Sequence, residues 1–161
     1  MLVEWRYYRG NVTQIKELDP AQGGCQQLVS VEDGTGNRVD FMLTEDTYLM
    51  DHQSVNVGDF VTGYYDGLAP VPLIYPPRYR ALVLVKEVPY RFVKVDDFNE
   101  QLVSSDGRLQ LNLSPYTQVS LKNGQAYTSS PANHSLVVSY GTSTKSIPAQ
   151  TTPYGIVVLC F

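Results

Sequence analysis

Cysteine, histidine and charge are all scarce in this chain, and each scarcity excludes a class of protein. The two cysteines, Cys25 and Cys160, are too few for a disulfide framework and lack the paired spacing of a zinc site. Both lie in or beside apolar stretches. That predicts buried free thiols, with a single bridge between the two halves of the chain as the alternative. His52 and His134 are the only histidines, and no His-x-x-x-His or Cys-x-x-Cys motif occurs, so no metal site is expected. Gly-x-Ser-x-Gly, the Gly-x-x-x-x-Gly-Lys phosphate loop and Gly-x-Gly-x-x-Gly are missing too; Gly34-Thr35-Gly36 matches only the start of the last and reads as a turn. Neither a cofactor nor a catalytic residue is therefore expected. A hydrolase without a recognisable motif, using a loop serine such as Ser129, Ser130 or Ser143 with His134, is the enzymatic alternative.

Charged residues make up 17% of the chain and the net charge is −4. That balance disfavours a grip on nucleic-acid phosphates, although a local basic groove stays compatible with it, and it disfavours anionic membranes. No stretch approaches the roughly 18 apolar residues of a membrane span. The segment Met1–Gly10 has no basic head, long apolar run or small-residue cleavage site, so it does not read as a signal peptide. A complete chain would then be cytoplasmic; a processed chain, or a piece of a larger one, could sit at the cell surface.

Helical periodicity is lacking as well, and what fills the chain is strand. Val39, Phe41 and Leu43 alternate with Arg38, Asp40 and Met42, and Leu109, Leu111 and Leu113 alternate with Gln110 and Asn112. This period of two sets one face on a core and the other toward water. Runs rich in β-branched and aromatic residues recur at 11–15, 27–31, 60–65, 81–85, 92–95, 136–140 and 156–159, separated by turn pairs such as Asp33-Gly34, Asp106-Gly107 and Asn123-Gly124. The order repeats. Asp33-Gly34 and Asp106-Gly107 each precede an alternating strand; Thr44 and Ser114, then Thr47 and Thr117, follow at matching offsets. Phe60–Tyr65 resembles Leu136–Tyr140, a proline-bearing loop follows each, and Tyr79–Leu84 then matches Tyr154–Leu159 at equal spacing. The alternative is two unrelated meanders whose strands look alike.

The expected fold is all-β, as two tandem OB-like barrels of about five strands each, residues 1–87 and a trimmed copy at 88–161. A single β-sandwich is the alternative. Pro89 suits the boundary, since proline cannot donate to a central ladder.

The most unusual segment runs from Asp66 to Tyr79 and contains Pro70, Pro72, Pro76 and Pro77. Such a loop is stiff and loses little entropy on binding. Tyr64, Tyr65, Tyr75, Arg78 and Tyr79 are the candidate ligand-binding residues, an aromatic platform with a guanidinium that suits a peptide, an oligosaccharide or bases. The alternative is that Leu73, Ile74 and Tyr75 plug the barrel's own end. The second copy, Thr142–Thr152, loses most of the aromatic residues, so the halves should not bind alike. Trp5–Arg9 and Tyr90–Phe92 interleave aromatic and basic residues; this reads as an RNA patch or as an edge strand with aromatics inward and arginines outward. Glu45-Asp46, Asp51 and Asp96-Asp97 have no partner at a mechanistic spacing and read as exposed strand ends.

Val57–Asp66 with Leu73-Ile-Tyr-Pro-Pro-Arg-Tyr79, and Gly141–Tyr154, resemble a family of uncharacterised proteins from Clostridia and related Gram-positive bacteria. The resemblance implies a module that accompanies surface stalk domains in larger chains, and it brings no catalytic residues. The function expected is a non-catalytic binding or interaction module with its site at the first Pro/Tyr loop. Its partner would be a protein, peptide or oligosaccharide. An OB-type nucleic-acid or oligosaccharide binder is the alternative.

Overall fold

A computed structural model describes residues 3–161, with Gln22 by its backbone alone; Met1 and Leu2, the head of the segment read for a leader, lie outside them. The protein is all-β and divides into two compact units, Met1–Glu87 and Val88–Phe161. Among the described residues no helix is long and apolar enough to cross a membrane.

The first unit holds β1 (Trp5–Leu18), β2 (Gln26–Glu32), β3 (Arg38–Leu43), β4 (Tyr48–Leu49), β5 (Phe60–Asp66), β6 (Arg78–Arg80) and β7 (Val83–Lys86), in the sheet order β4-β7-β5-β1-β2-β3-β6. Strand β1 serves two neighbours. Its first half pairs antiparallel with β5, Trp5 opposite Asp66, and its second half with β2, Leu18 opposite Gln26. Gly10 stands at the changeover, where a Cβ would lie 2.3 Å from the Glu32 carbonyl oxygen; only glycine lets the end of β2 cross so closely. A bulge between Val12 and Gln14 then bends the strand. Strand β3 pairs in parallel with β6, while β5 pairs antiparallel with β7. Only Ala81 and Leu82 separate β6 from β7, so one short stretch of chain joins both sides of the sheet. The core behind this arrangement is Val12, Val29, Val31, Val39, Phe41, Val61, Ala81 and Leu84. Val39 and Phe41 point into it as their alternation predicts, and Asp40 points out.

The second unit holds β8 (Phe92–Phe98), β9 (Leu109–Leu111), β10 (Gln118–Leu121), β11 (His134–Tyr140), β12 (Ala149–Thr151) and β13 (Gly155–Leu159). The order β10-β13-β11-β8 forms one sheet, and β12 pairs in parallel with β9. Its core is Phe98, Leu109, Leu111, Leu136, Val138, Ile156 and Val158.

The same pattern of hydrogen bonds recurs within each unit. The Thr44 N–H donates to Thr47 Oγ1 (3.1 Å), as Ser114 does to Thr117 (3.3 Å). Thr47 Oγ1 donates to the Ala81 carbonyl (2.7 Å), and Thr117 Oγ1 to the Pro153 carbonyl (2.9 Å). Leu82 N–H donates to the Tyr64 carbonyl, and Tyr154 N–H to that of Ser139. These bonds match Tyr65 with Tyr140 and Val39–Leu43 with 109–113. They do not match Tyr79–Leu84 with Tyr154–Leu159. Ala81 corresponds to Pro153, so the partner of Tyr79 is Thr151, three residues upstream of the expected Tyr154. Apolar β-runs slide past one another without losing their pattern, and only the ladder pins the register.

The cysteines are a second correction. Cys25 and Cys160 are both free and both exposed, neither buried nor bridged. Cys25 precedes β2 and Cys160 follows β13, so each adjoins an apolar strand without entering its core.

Candidate functional site

The proline-rich loop leaves β5 and is tied down at both ends. Asp66 Oδ1 accepts hydrogen bonds from the N–H groups of Glu4 (3.1 Å) and Leu68 (3.0 Å), and Gly67 N–H donates to the Glu4 carbonyl. At the far end Asp40 N–H donates to the Pro77 carbonyl. Between these anchors Leu73, Ile74 and Tyr75 stand in solvent, Tyr75 at 77% exposure. They do not plug the core. The Tyr75–Pro76 peptide is cis, as is Ile147–Pro148 in the corresponding loop of the second unit.

The five expected ligand-binding residues do not form one platform. Tyr65 and Tyr79 turn inward and stack on each other, centroids 4.0 Å apart and planes within 8°. Both rest on the buried Phe41 ring (6.1 and 6.5 Å). Tyr64 turns the opposite way and is buried, tilted against Tyr7 at 5.9 Å. Arg78 lies on the outer face beside Asp40, and its Nε is buried without a hydrogen-bond partner among the described residues. The separation follows from the strand itself: neighbours in sequence point to opposite faces, so Tyr64-Tyr65 and Arg78-Tyr79 must part. Burial raises the Tyr65 pKa, and the Tyr79 hydroxyl adds to the shift. Tyr8, on the same inner face as Tyr65, also has a raised pKa, from burial first and then from Asp33.

The interleaved basic and aromatic residues of β1 are engaged locally. Arg6 pairs with Glu4 (3.2 Å) and crosses Gly67, where a Cβ would meet its Nε at 2.5 Å. Arg9 donates to Thr62 Oγ1 (2.8 Å) and sits 5.5 Å from the Tyr7 ring centroid. Tyr7 is exposed alongside Arg9, so the strand does not sort aromatics inward and arginines outward.

Sequence reading missed a groove in the second unit. A cavity of about 380 Å³ lies between the Asp106–Arg108 turn and the cis-proline loop, lined by Asp106, Gly107, Arg108, Ser146 and Ile147. Asp106 accepts from Ser104 Oγ (2.6 Å) and from Arg108 N–H (3.0 Å), and forms an ion pair with Lys94. Burial opposes ionisation of Asp106, but the bonds from Lys94, Ser104 and the Arg108 amide outweigh it and lower the pKa. Burial also raises the Tyr140 pKa, with Asp106 contributing. The signal available in the sequence was Asp106-Gly107 itself, which reads as a turn and nothing more.

Asp96 and His134 have structural partners. Asp96 is buried, against the expectation of an exposed strand end, and accepts from Ser105 Oγ (2.6 Å) and Asp97 N–H (2.8 Å). His134 Nε2 lies 3.1 Å from the Tyr127 hydroxyl. Among the described residues no group of three or more His, Cys, Asp or Glu side chains could hold a metal ion. Compared with known proteins, the sequence matches no family model and no curated relative.

Proposed function

We propose that each unit is an OB-like barrel, that the chain is a tandem duplication of this barrel, and that it works as a non-catalytic binding module. The contact region would be the proline-rich loop of the first unit. Three features support the barrel reading: the shared β1, the parallel β3–β6 pair, and the two-residue break that joins β6 to β7. The matched threonine bonds support duplication.

The single observation that carries the binding role is the loop tip. Three consecutive apolar side chains, Leu73, Ile74 and Tyr75, stand in water on a segment pinned at both ends. Ordering costs are small for such a loop, and each side chain buried at an interface gains about 1.5–3 kcal/mol. An apolar tip suits a protein or peptide partner better than bases or sugars. Tyr65 and Tyr79 spend their facing sides on each other, and Arg6 and Arg80 are already ion-paired.

Selection from a phage library of protein fragments from the source organism tests this. Enriched fragments should bind the wild type and lose at least about tenfold in affinity against an L73D/I74D variant, a loss of about 1.4 kcal/mol or more. Ligands that hold the variant equally well would remove the loop from the contact. In a separate titration, oligonucleotides that bind wild type and L73D/I74D alike, with steep salt dependence, would favour the nucleic-acid alternative.

A further inference from the structure

Arg38 and Arg108 occupy the same place in the two units, each one residue before the first inward strand position, Val39 or Leu109. Their surroundings differ first at the position two residues on. In the first unit Arg38 Nε donates to the buried Asp40 (3.1 Å) and Nη2 to Ser30 Oγ (2.9 Å). Asp40 stands opposite Arg78 in the β3–β6 ladder, and Gln110 opposite Gln150 in the β9–β12 ladder. The position of Asp40 is thus taken by neutral Gln110 in the second unit. Arg108 has no carboxylate of its own strand to hold it, and it lines the 380 Å³ groove instead.

Charges around the groove leave a surplus. Asp106 is the only acid lining it, and its carboxylate is already matched by Lys94 and by hydrogen bonds from Ser104 Oγ and the Arg108 N–H. The Arg108 guanidinium makes no ion pair among the described residues. Exposed Lys145 adjoins Ser146 on the loop side. Ile147, at 91% exposure, adds an apolar wall. An uncompensated guanidinium in a concave, partly polar site is suited to an oxyanion, because its planar fork bonds two oxygens at once.

We propose that the groove between 106–108 and 146–147 binds a small organic anion through Arg108, with a carboxylate or phosphate on the guanidinium and an apolar portion against Ile147. The first unit would not share this site. There the matching arginine is held by Asp40, and Tyr8 takes the ladder position of Lys94: Tyr8 faces Gly63 as Lys94 faces Val138.

The test is a titration of the full chain followed by amide and arginine side-chain NMR. Inorganic phosphate and propionate are each compared with chloride at equal ionic strength. Saturable shifts at Gly107, Arg108, Ser146 and Ile147 are expected with one or both oxyanions, and which of them binds assigns the group. R108Q should weaken binding about tenfold or more, the worth of a charge-assisted bond pair. Q110D is the sharper variant. It keeps Arg108 but offers it the in-strand carboxylate that Arg38 has, and binding should fall by a similar factor. Equal shifts with chloride, or unchanged affinity in either variant, would overturn the proposal. Should R108Q fail to fold, Q110D alone decides, since its charge pair is the one the first unit already tolerates.

Discussion

Gly63 lies on the inner face of β5, and a Cβ built there would stand 2.5 Å from both Cε2 and Cζ of Phe41. The Phe41 ring is fully buried and is covered by the Tyr65–Tyr79 stack. It has no free volume to yield into without displacing that stack. Gly63→Ala should therefore destabilise the first unit by overpacking, about 1–3 kcal/mol. For a unit of this size that is a fall in Tm of about 4–8 °C per kcal/mol. Trp5, the only tryptophan, belongs to β1 and makes fluorescence-detected urea unfolding a probe of this unit. The control is Phe41→Leu, which removes the far edge of the ring and costs on the order of 1–2 kcal/mol by itself. In the double variant the new methyl fills part of the space that the ring edge leaves. The two costs should then fail to add, by more than the roughly 0.3–0.5 kcal/mol scatter of independent sites. A G63A cost below about 0.5 kcal/mol, or strict additivity with F41L, would refute the close approach and with it the support beneath the tyrosine stack.

Two further outcomes follow from the turns. Hydrogen bonds from the Thr35 hydroxyl and amide first, with the Asn37 amide contributing, hold the Asp33 carboxyl at about 2 against an ordinary 3.8. A depressed folded pKa means that its stabilisation is present above pH 3.8 and is lost as pH falls toward 2; D33A should flatten that limb in thermal melts between pH 5 and 2, and an unchanged acid limb would refute it. Thr47→Val and Thr117→Val each remove a donor to the carbonyl that precedes a strand and an acceptor for a turn amide, so each should cost about 1–2 kcal/mol in its own unit; urea unfolding of the two variants should give similar losses, and a null effect in one would break the equivalence of the units.

The all-β character was legible because alternation is local. Val39–Leu43 and Leu109–Leu111 announce their inward faces without help from any other part of the chain, whereas Leu113, expected on the same face, lies beyond β9 and is exposed. The full length of β1 was not legible, since its first half is polar and aromatic and becomes a strand through β5, far along the sequence. Strand β10 is similar: Gln118–Leu121 carries little β-branched character and owes its form to parallel pairing with β13. The proline loop could be picked out, but the exposure of its apolar tip, Leu73–Tyr75, does not follow from composition. The aromatic platform failed on a rule already in hand, that adjacent strand residues face apart. Arg108 was beyond reach for another reason. Its place in the groove depends on the 146–147 loop lying against the 106–108 turn, and no local pattern in the sequence announces that approach.

The division of β1 between two neighbours bears on the order in which the chain can fold as it is made. Residues 11–18 meet their partners in β2 almost at once, and β3 follows closely. Residues 5–9 must wait until β5 has been synthesised. During that interval they are an unpaired strand edge, the kind of template that recruits foreign strands. Arg6 and Arg9 lie on this waiting segment, and charged side chains on a bare strand disfavour edge-to-edge association.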